Sequence, residues 1–108
     1  MSSTTVARGN AHETFYIAPT LAPTSVAAST TAVQTFSVPG LLTTDFISSG
    51  GYIANQTAGI FIAETDCLTN GVLTVKFGNC TTSSATPASG VYEFQIVRYE
   101  GPAPVNAV

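Results

Sequence analysis

Ionisable side chains are scarce in this chain of 108 residues. Charged residues make up 8% of the sequence, whereas an average protein has ~25%. The three basic residues, Arg8, Lys76 and Arg98, are isolated from one another along the chain. Because binding to phosphates requires clustered Lys and Arg side chains, we expect no nucleic-acid partner.

Long apolar runs are also missing, and none approaches the ~20 residues that a membrane-spanning helix needs. The opening residues, MSSTTVARGNAHETF, do not show the basic and then apolar pattern of a signal peptide. We therefore expect no membrane partner and synthesis in a cytoplasm. In that reducing compartment Cys67 and Cys80 are predicted to be two free structural thiols, with a disulfide as the alternative.

Groups suited to catalysis are few and scattered. The only histidine, His12, lies in a segment predicted to be an extended arm, which is a poor support for a catalytic base. Glu64 and Asp66 could share one face of a strand, but no third oxygen ligand accompanies them, so we interpret them as solvated acids. Cys67 and Cys80 have no histidine nearby to complete a metal site. The sequence predicts no catalytic residue, no metal, no cofactor and no enzyme activity.

Hydroxyl side chains are abundant instead, with 17 Thr and 10 Ser making up a quarter of the chain. Threonine is β-branched, which favours strands over helices. The mean hydropathy of +0.31 is positive although charges are few. This combination indicates that partner subunits cover much of the surface.

Short strands separated by turn residues are predicted from residue 33 onward. They are VQTFSV, TTDFIS, GIFIAETDCLT, VLTVKF and VYEFQIVRY. Asn70-Gly71 predicts a tight hairpin with a type I′ turn. The period-two alternation directs two sets of apolar side chains into the core, namely Leu73, Val75 and Phe77, and Tyr92, Phe94 and Ile96. We expect an all-β fold: a small antiparallel β-sandwich or barrel of about six short strands with an extended N-terminal arm.

The chain is accordingly divided into an arm (1–32), a β-sandwich domain (33–100) and a C-terminal tail (101–108). Two Ala-Pro-Thr copies, at 18–20 and 22–24, favour an extended arm. Its one cohesive patch is Phe15, Tyr16 and Ile17. These side chains are predicted to bind a partner surface, which is either the protein's own domain or a neighbouring subunit.

Three stretches in order, TFSVPGLLTTDFI, GIFIAETDCLTNGVLTVKFGNCTT and ATPASGVYEFQIVR, resemble a family of small structural proteins in tailed-bacteriophage virions. The positions that carry the resemblance are Phe36, Val38, Pro39, Gly40, Leu41, Asp45, Val75, Phe77, Asn79, Thr81, Pro87, Gly90, Tyr92 and Arg98. They span about three-fifths of the chain. The two cysteines and the N-terminal arm depart from the family pattern.

The resemblance implies a non-enzymatic capsid decoration (cement) protein, made in the host cytoplasm and located on the virion. Its implied partners are the major capsid protein, whose shell it would stabilise from outside, and copies of itself in a homo-oligomer such as a trimer. The alternative is a head-fibre or tail adhesion module that binds a host-surface glycan. For that alternative the candidate aromatic residues are Tyr52, Tyr92 and Tyr99.

Overall fold

Seven β-strands and no helix form residues 11–99, the part of the chain that the computed structural model describes. The strands are β1 (Ala11–Ile17), β2 (Thr20–Leu21), β3 (Thr30–Ser37), β4 (Phe46–Tyr52), β5 (Ile60–Thr69), β6 (Val72–Asn79) and β7 (Gly90–Tyr99). The all-β prediction is confirmed. The predicted strand at 43–48 begins later, at Phe46, because Asp45 belongs to the preceding turn.

Each of the two antiparallel sheets has one central strand. In the first sheet β7 is central, with β4 along one edge and β1, then β2, along the other. In the second sheet β6 is central, between β3 and β5. The two sheets pack face to face, so the predicted antiparallel sandwich is confirmed.

The core lies between the two central strands. Six side chains are completely buried there, three from β6 (Leu73, Val75 and Phe77) and three from β7 (Tyr92, Phe94 and Ile96). They are the residues that the alternation predicts. A strand presents every second side chain to the same face, so one apolar set from each central strand fills the space between the sheets.

The predicted hairpin at Asn70-Gly71 is confirmed and joins β5 to β6. Its turn is not type I′, because only Gly71 has a positive φ (81°), whereas Asn70 does not. The register between β5 and β6 shifts between Asp66 and Thr69, immediately before the turn. A bulge of this kind changes the twist of the strands and so the turn that can join them.

Residues 11–32, which belong to the predicted arm, are part of the sandwich. They provide β1, β2 and the start of β3, so the folded domain includes them as well as 33–99. In the sequence Pro19 and Pro23 favour an extended spacer, but Pro19 lies between β1 and β2 and Pro23 follows β2, at an edge of the sheet where proline is tolerated. The side chain of His12, residues 1–10 and residues 100–108, which include the predicted tail, lie outside the described part of the structure.

Candidate functional site

A buried ion pair joins the end of β7 to the loop before β4. Arg98 donates from Nε to Asp45 Oδ1 and from Nη2 to Asp45 Oδ2, both at 2.8 Å. The Asp45 side chain is fully buried, and the backbone N–H of Leu42 donates a further bond of 2.9 Å to its Oδ2. The hydrogen bonds from Arg98, together with the one from Leu42, stabilise the carboxylate and lower the pKa of Asp45. Burial acts in the opposite direction but is the smaller effect.

Three further contacts place Arg98 at the meeting point of β1, β7 and the loop 38–45. Its Nη2 donates to Gly40 O at 3.1 Å, and its guanidinium lies 5.2 Å from the centre of the Phe15 ring. Glu13 Oε1 is 4.0 Å from Nη1. The hydrogen bonds to Asp45 raise the pKa of Arg98 further. We interpret this cluster as a structural anchor that closes one end of the core.

The loop 38–45 is also fixed to the β5–β6 turn. The N–H of Gly71 donates to Leu41 O at 2.7 Å, and the N–H of Val38 donates to Gly71 O at 2.8 Å. The Asn70 side chain accepts a bond of 3.0 Å from the N–H of Thr43. The Asn70-Gly71 turn therefore also holds the loop 38–45 in place.

At the opposite end of the sandwich, buried polar side chains bind the loop 80–89. Asn79 donates from Nδ2 to Val26 O and to Ser83 O, each at 3.0 Å, and its Oδ1 accepts from the N–H and the hydroxyl of Thr81. The Tyr92 hydroxyl donates to Ala88 O at 2.6 Å. Every polar group of the Asn79 side chain therefore has a partner inside the protein.

The outer face of the first sheet is a candidate interaction surface. By register, Thr14, Val97 and Phe46 form one row across β1, β7 and β4, and Tyr16, Gln95 and Ser48 form the next. We call these six residues the outer-face patch. Its two aromatic side chains project into solvent, with Tyr16 75% and Phe46 54% exposed. No member is charged, which is typical of surfaces that a partner covers.

A shallow cleft of about 170 Å³ borders this patch and is lined by Tyr16, Ser48, Glu93 and Gln95. Gly50 also lines the cleft, and a Cβ at this position would lie 3.0 Å from Glu93 O. An exposed aromatic ring beside a carboxylate, an amide and a hydroxyl can stack on and hydrogen-bond to a polar ring such as a sugar. The cleft is therefore the polar part of the same surface.

The structure separates the three predicted partner-binding residues of the arm. Phe15 and Ile17 are partly buried and pack against the protein's own core, which is one of the two predicted alternatives. Tyr16 points to the opposite face and is free to bind a partner. The prediction missed Phe46, because only its pairing with Val97 places it on the same face as Tyr16.

The aromatic candidates for glycan binding do not form a surface. Tyr92 is completely buried, its hydroxyl accepts a bond of 2.9 Å from Gln56 Nε2, and burial raises its pKa. Tyr52 packs on it with ring centroids 5.1 Å apart, and its own hydroxyl donates to Ser89 O at 3.2 Å. Tyr99 pairs with Ala11 at the far end of β7. Of the four tyrosines, only Tyr16 has an exposed side chain.

Groups that could act in catalysis or bind metal remain apart in residues 11–99. Glu64 pairs with Lys76 at 3.5 Å on the surface of the second sheet. Asp66 Oδ1 is buried without a hydrogen-bond partner. No group of three His, Cys, Asp or Glu side chains within the described part is arranged to hold a metal ion. Cys67 is buried, Cys80 is exposed, and both are free thiols.

Comparisons of the chain with protein-family models, with curated proteins and with solved structures find no match. Across residues 11–99 no helix is present that could span a membrane. The outer-face patch and the sequence resemblance are therefore the observations that bear on function.

Proposed function

We propose that this chain is a non-enzymatic structural protein of a tailed-bacteriophage virion, a decoration protein that binds the outer surface of the capsid shell. The observation that carries the proposal is the uncharged outer-face patch with its two exposed aromatic rings, Tyr16 and Phe46. The sequence resemblance supports it and supplies the partner, the major capsid protein. The proposed location is the virion, after synthesis in the host cytoplasm.

The proposed mechanism is area burial repeated over many sites. Each Å² of apolar surface removed from water contributes roughly 25 cal/mol, before the cost of association is subtracted. Exposed Tyr and Phe side chains are well suited to this role, because they bury a large area while losing few rotamers. Many modest contacts distributed over a closed shell would together resist internal pressure. The buried Asp45–Arg98 pair supports the patch by fixing β7 to the loop before β4.

The test is co-sedimentation of the purified chain with empty, expanded capsids assembled from the major capsid protein of the same genome. Tyr16→Ser and Phe46→Thr should each weaken binding about tenfold or more, because aromatic residues dominate interface energies. The matched control is Leu68→Ser, which removes a side chain of 72% exposure from the other sheet and should leave binding unchanged. Undiminished binding by both patch variants, or no binding by the wild-type chain, would refute the proposal.

The alternative function, a fibre or adhesion module for a host-surface glycan, is favoured by one observation, the polar cleft beside Tyr16. A glycan array with the purified chain tests it. If the cleft binds a sugar, Tyr16→Ser and Glu93→Gln should both abolish the signal, whereas Phe46→Thr should keep it. For capsid binding these two variants should behave in the opposite way: Phe46→Thr should weaken binding, and Glu93→Gln should leave it unchanged. The two variants Phe46→Thr and Glu93→Gln therefore discriminate between the functions.

A further inference from the structure

The first sheet protects both of its edges against pairing with another strand. Along one edge the register of β1 shifts between Ala11 and Glu13, and the strand then runs into Pro19. Along the other edge the register of β4 shifts between Ser49 and Gly51. Bulges and prolines of this kind are the usual means by which proteins block edge-to-edge association.

In the second sheet β5 is protected in the same manner. Its register shifts twice, between Ile62 and Glu64 and between Asp66 and Thr69. It carries two acidic side chains, and it lies against β4, where the Thr65 hydroxyl donates to Ile47 O at 3.3 Å. This bond occupies a carbonyl of the β4 edge. Charges, bulges and coverage thus protect the whole β4–β5 side of the sandwich.

The remaining edge strand, β3, has neither a bulge nor a charge, although its Gln34 side chain exchanges two hydrogen bonds with the backbone of Thr24. It pairs with β6 through eight consecutive residues, from Thr30 opposite Asn79 to Ser37 opposite Val72, without a register shift. Its sequence TTAVQTFS contains no charge, no proline and no glycine. Within the described residues β6 is the only strand that pairs with it. A regular, uncharged edge of this length is a template for another strand.

We propose that β3 is a self-association site at which β3 of one protomer pairs in antiparallel fashion with β3 of a second copy. A two-fold axis perpendicular to the sheet would pass midway between the two copies of Val33 and join two three-stranded sheets into one continuous sheet. With this register Val33 lies opposite Val33 of the second copy, and Thr31 lies opposite Thr35. All three are on the outer face, as antiparallel neighbours must be.

The residues of β3 favour this occupant over a strand of different chemistry. The pairing covers Val33, which is 59% exposed in the single chain, and Val–Val and Thr–Thr pairs across strands are each stabilising. Because β3 has no charged side chain, it has no group that would select a charged partner strand. For the same reason no like charges meet when β3 pairs with its own copy, so the edge is compatible with an isologous interface.

The charges nearest to the two-fold axis are also compatible with the pairing. Lys76 lies opposite Val33 on β6, so the two copies of Lys76 would be three strand spacings apart, or about 14 Å. This separation exceeds the screening length of ~8 Å at physiological ionic strength. Each Lys76 is moreover paired with Glu64 at 3.5 Å in its own chain. Repulsion therefore does not oppose the dimer.

Sedimentation equilibrium of the full chain over a range of concentrations tests the proposal, and a monomer–dimer equilibrium is expected. Val33→Lys should raise the dissociation constant roughly tenfold or more, because it places two ammonium groups opposite each other on the axis. Thr35→Lys, two residues from Val33 on the same face, should weaken the dimer as well. The matched control Leu68→Lys adds the same charge to an exposed position on β5 and should have no effect.

A cross-linking experiment tests the register. In a Cys80→Ser background, which removes the exposed native thiol, Val33→Cys should form an intermolecular disulfide under mild oxidation, because the axis brings the two Cβ atoms within disulfide reach. Leu68→Cys in the same background should not. A wild-type chain that is monomeric at every concentration overturns the proposal, as does a Val33→Lys dimer as stable as the Leu68→Lys dimer, or failure of the cross-link. These measurements need no capsid, so their outcome is independent of the proposed shell binding.

Discussion

Arg98 and Asp45 lie 53 residues apart in the sequence and are joined by two parallel hydrogen bonds of 2.8 Å. The Asp45 side chain is fully buried, whereas the Arg98 side chain is 25% exposed. A bidentate pair of this geometry is among the stronger polar interactions in proteins. Because Arg98 also contacts Gly40 and Phe15, the pair couples the first sheet to the loop 38–45.

Asp45→Asn is expected to lower the free energy of unfolding by about 2–3 kcal/mol, since it leaves Arg98 without its charged partner. Urea denaturation measures the change. The control is Glu64→Gln, which breaks the exposed Lys76–Glu64 pair at 3.5 Å and should cost at most about 1 kcal/mol. Equal losses in the two variants would show that the buried pair contributes no more than a surface pair does.

Stability should depend on pH through Asp45. Its pKa is lower in the folded protein than the value of about 3.9 in an unfolded chain, so the unfolded state binds a proton first as the pH falls. The stabilisation is complete well above pH ~4 and is lost as the pH falls below that value toward the folded pKa. Urea midpoints measured between neutral and acid pH should therefore fall less steeply for Asp45→Asn than for the wild-type protein. Identical slopes would contradict this assignment.

Asn79→Ala should loosen the loop 80–89 and cost about 2–3 kcal/mol, because it removes the two hydrogen bonds that Asn79 Nδ2 donates and leaves the N–H of Thr81 without its acceptor. Amide hydrogen exchange provides a local readout, since the N–H of Thr81 loses its bond to Asn79 Oδ1 and should exchange faster. Asn55→Ala, at an exposed position, is the control and should change neither quantity. A merely global loss of stability, with unchanged exchange at Thr81 relative to its neighbours, would argue against a local role for Asn79.

Two glycines with nearly the same backbone angle should respond differently to alanine. Gly71 (φ 81°) has open space around the position of a Cβ, so Gly71→Ala is expected to cost only the backbone strain, about 1–2 kcal/mol. In Gly59→Ala (φ 80° at this position) the added Cβ would in addition clash with the Thr81 side chain. Thermal unfolding should therefore show a clearly larger loss for Gly59→Ala. Equal losses would mean that Thr81 moves aside without cost.

The sequence predicts those parts of the fold in which local pattern and burial agree. Leu73, Val75 and Phe77 alternate along a central strand, and Asn70-Gly71 marks the turn before it. The sequence could not show that β1 joins the sheet, because the prolines at 19 and 23 are equally compatible with a linker and with a sheet edge.

The positions of the three arm residues predicted to bind a partner could not be derived from the sequence for the same reason. A run such as Phe15-Tyr16-Ile17 appears continuous in sequence, but a strand divides it between two faces. Only the pairing with β7 decides that Tyr16 faces outward and that Phe46 lies two strands away on the same face. The Asp45–Arg98 pair could not be predicted either, since no local rule connects residues that lie so far apart in the sequence.

The position of β7 has a consequence for synthesis on the ribosome. This strand is the centre of the first sheet, yet it follows all three of its pairing partners in chain order. Until Gly90–Tyr99 has left the ribosome, β1, β2 and β4 have no common strand to pair with, so Phe15 and Ile47 remain exposed to water. Assembly of the first sheet therefore has to wait for β7 and is governed by long loop closures, which makes it slow.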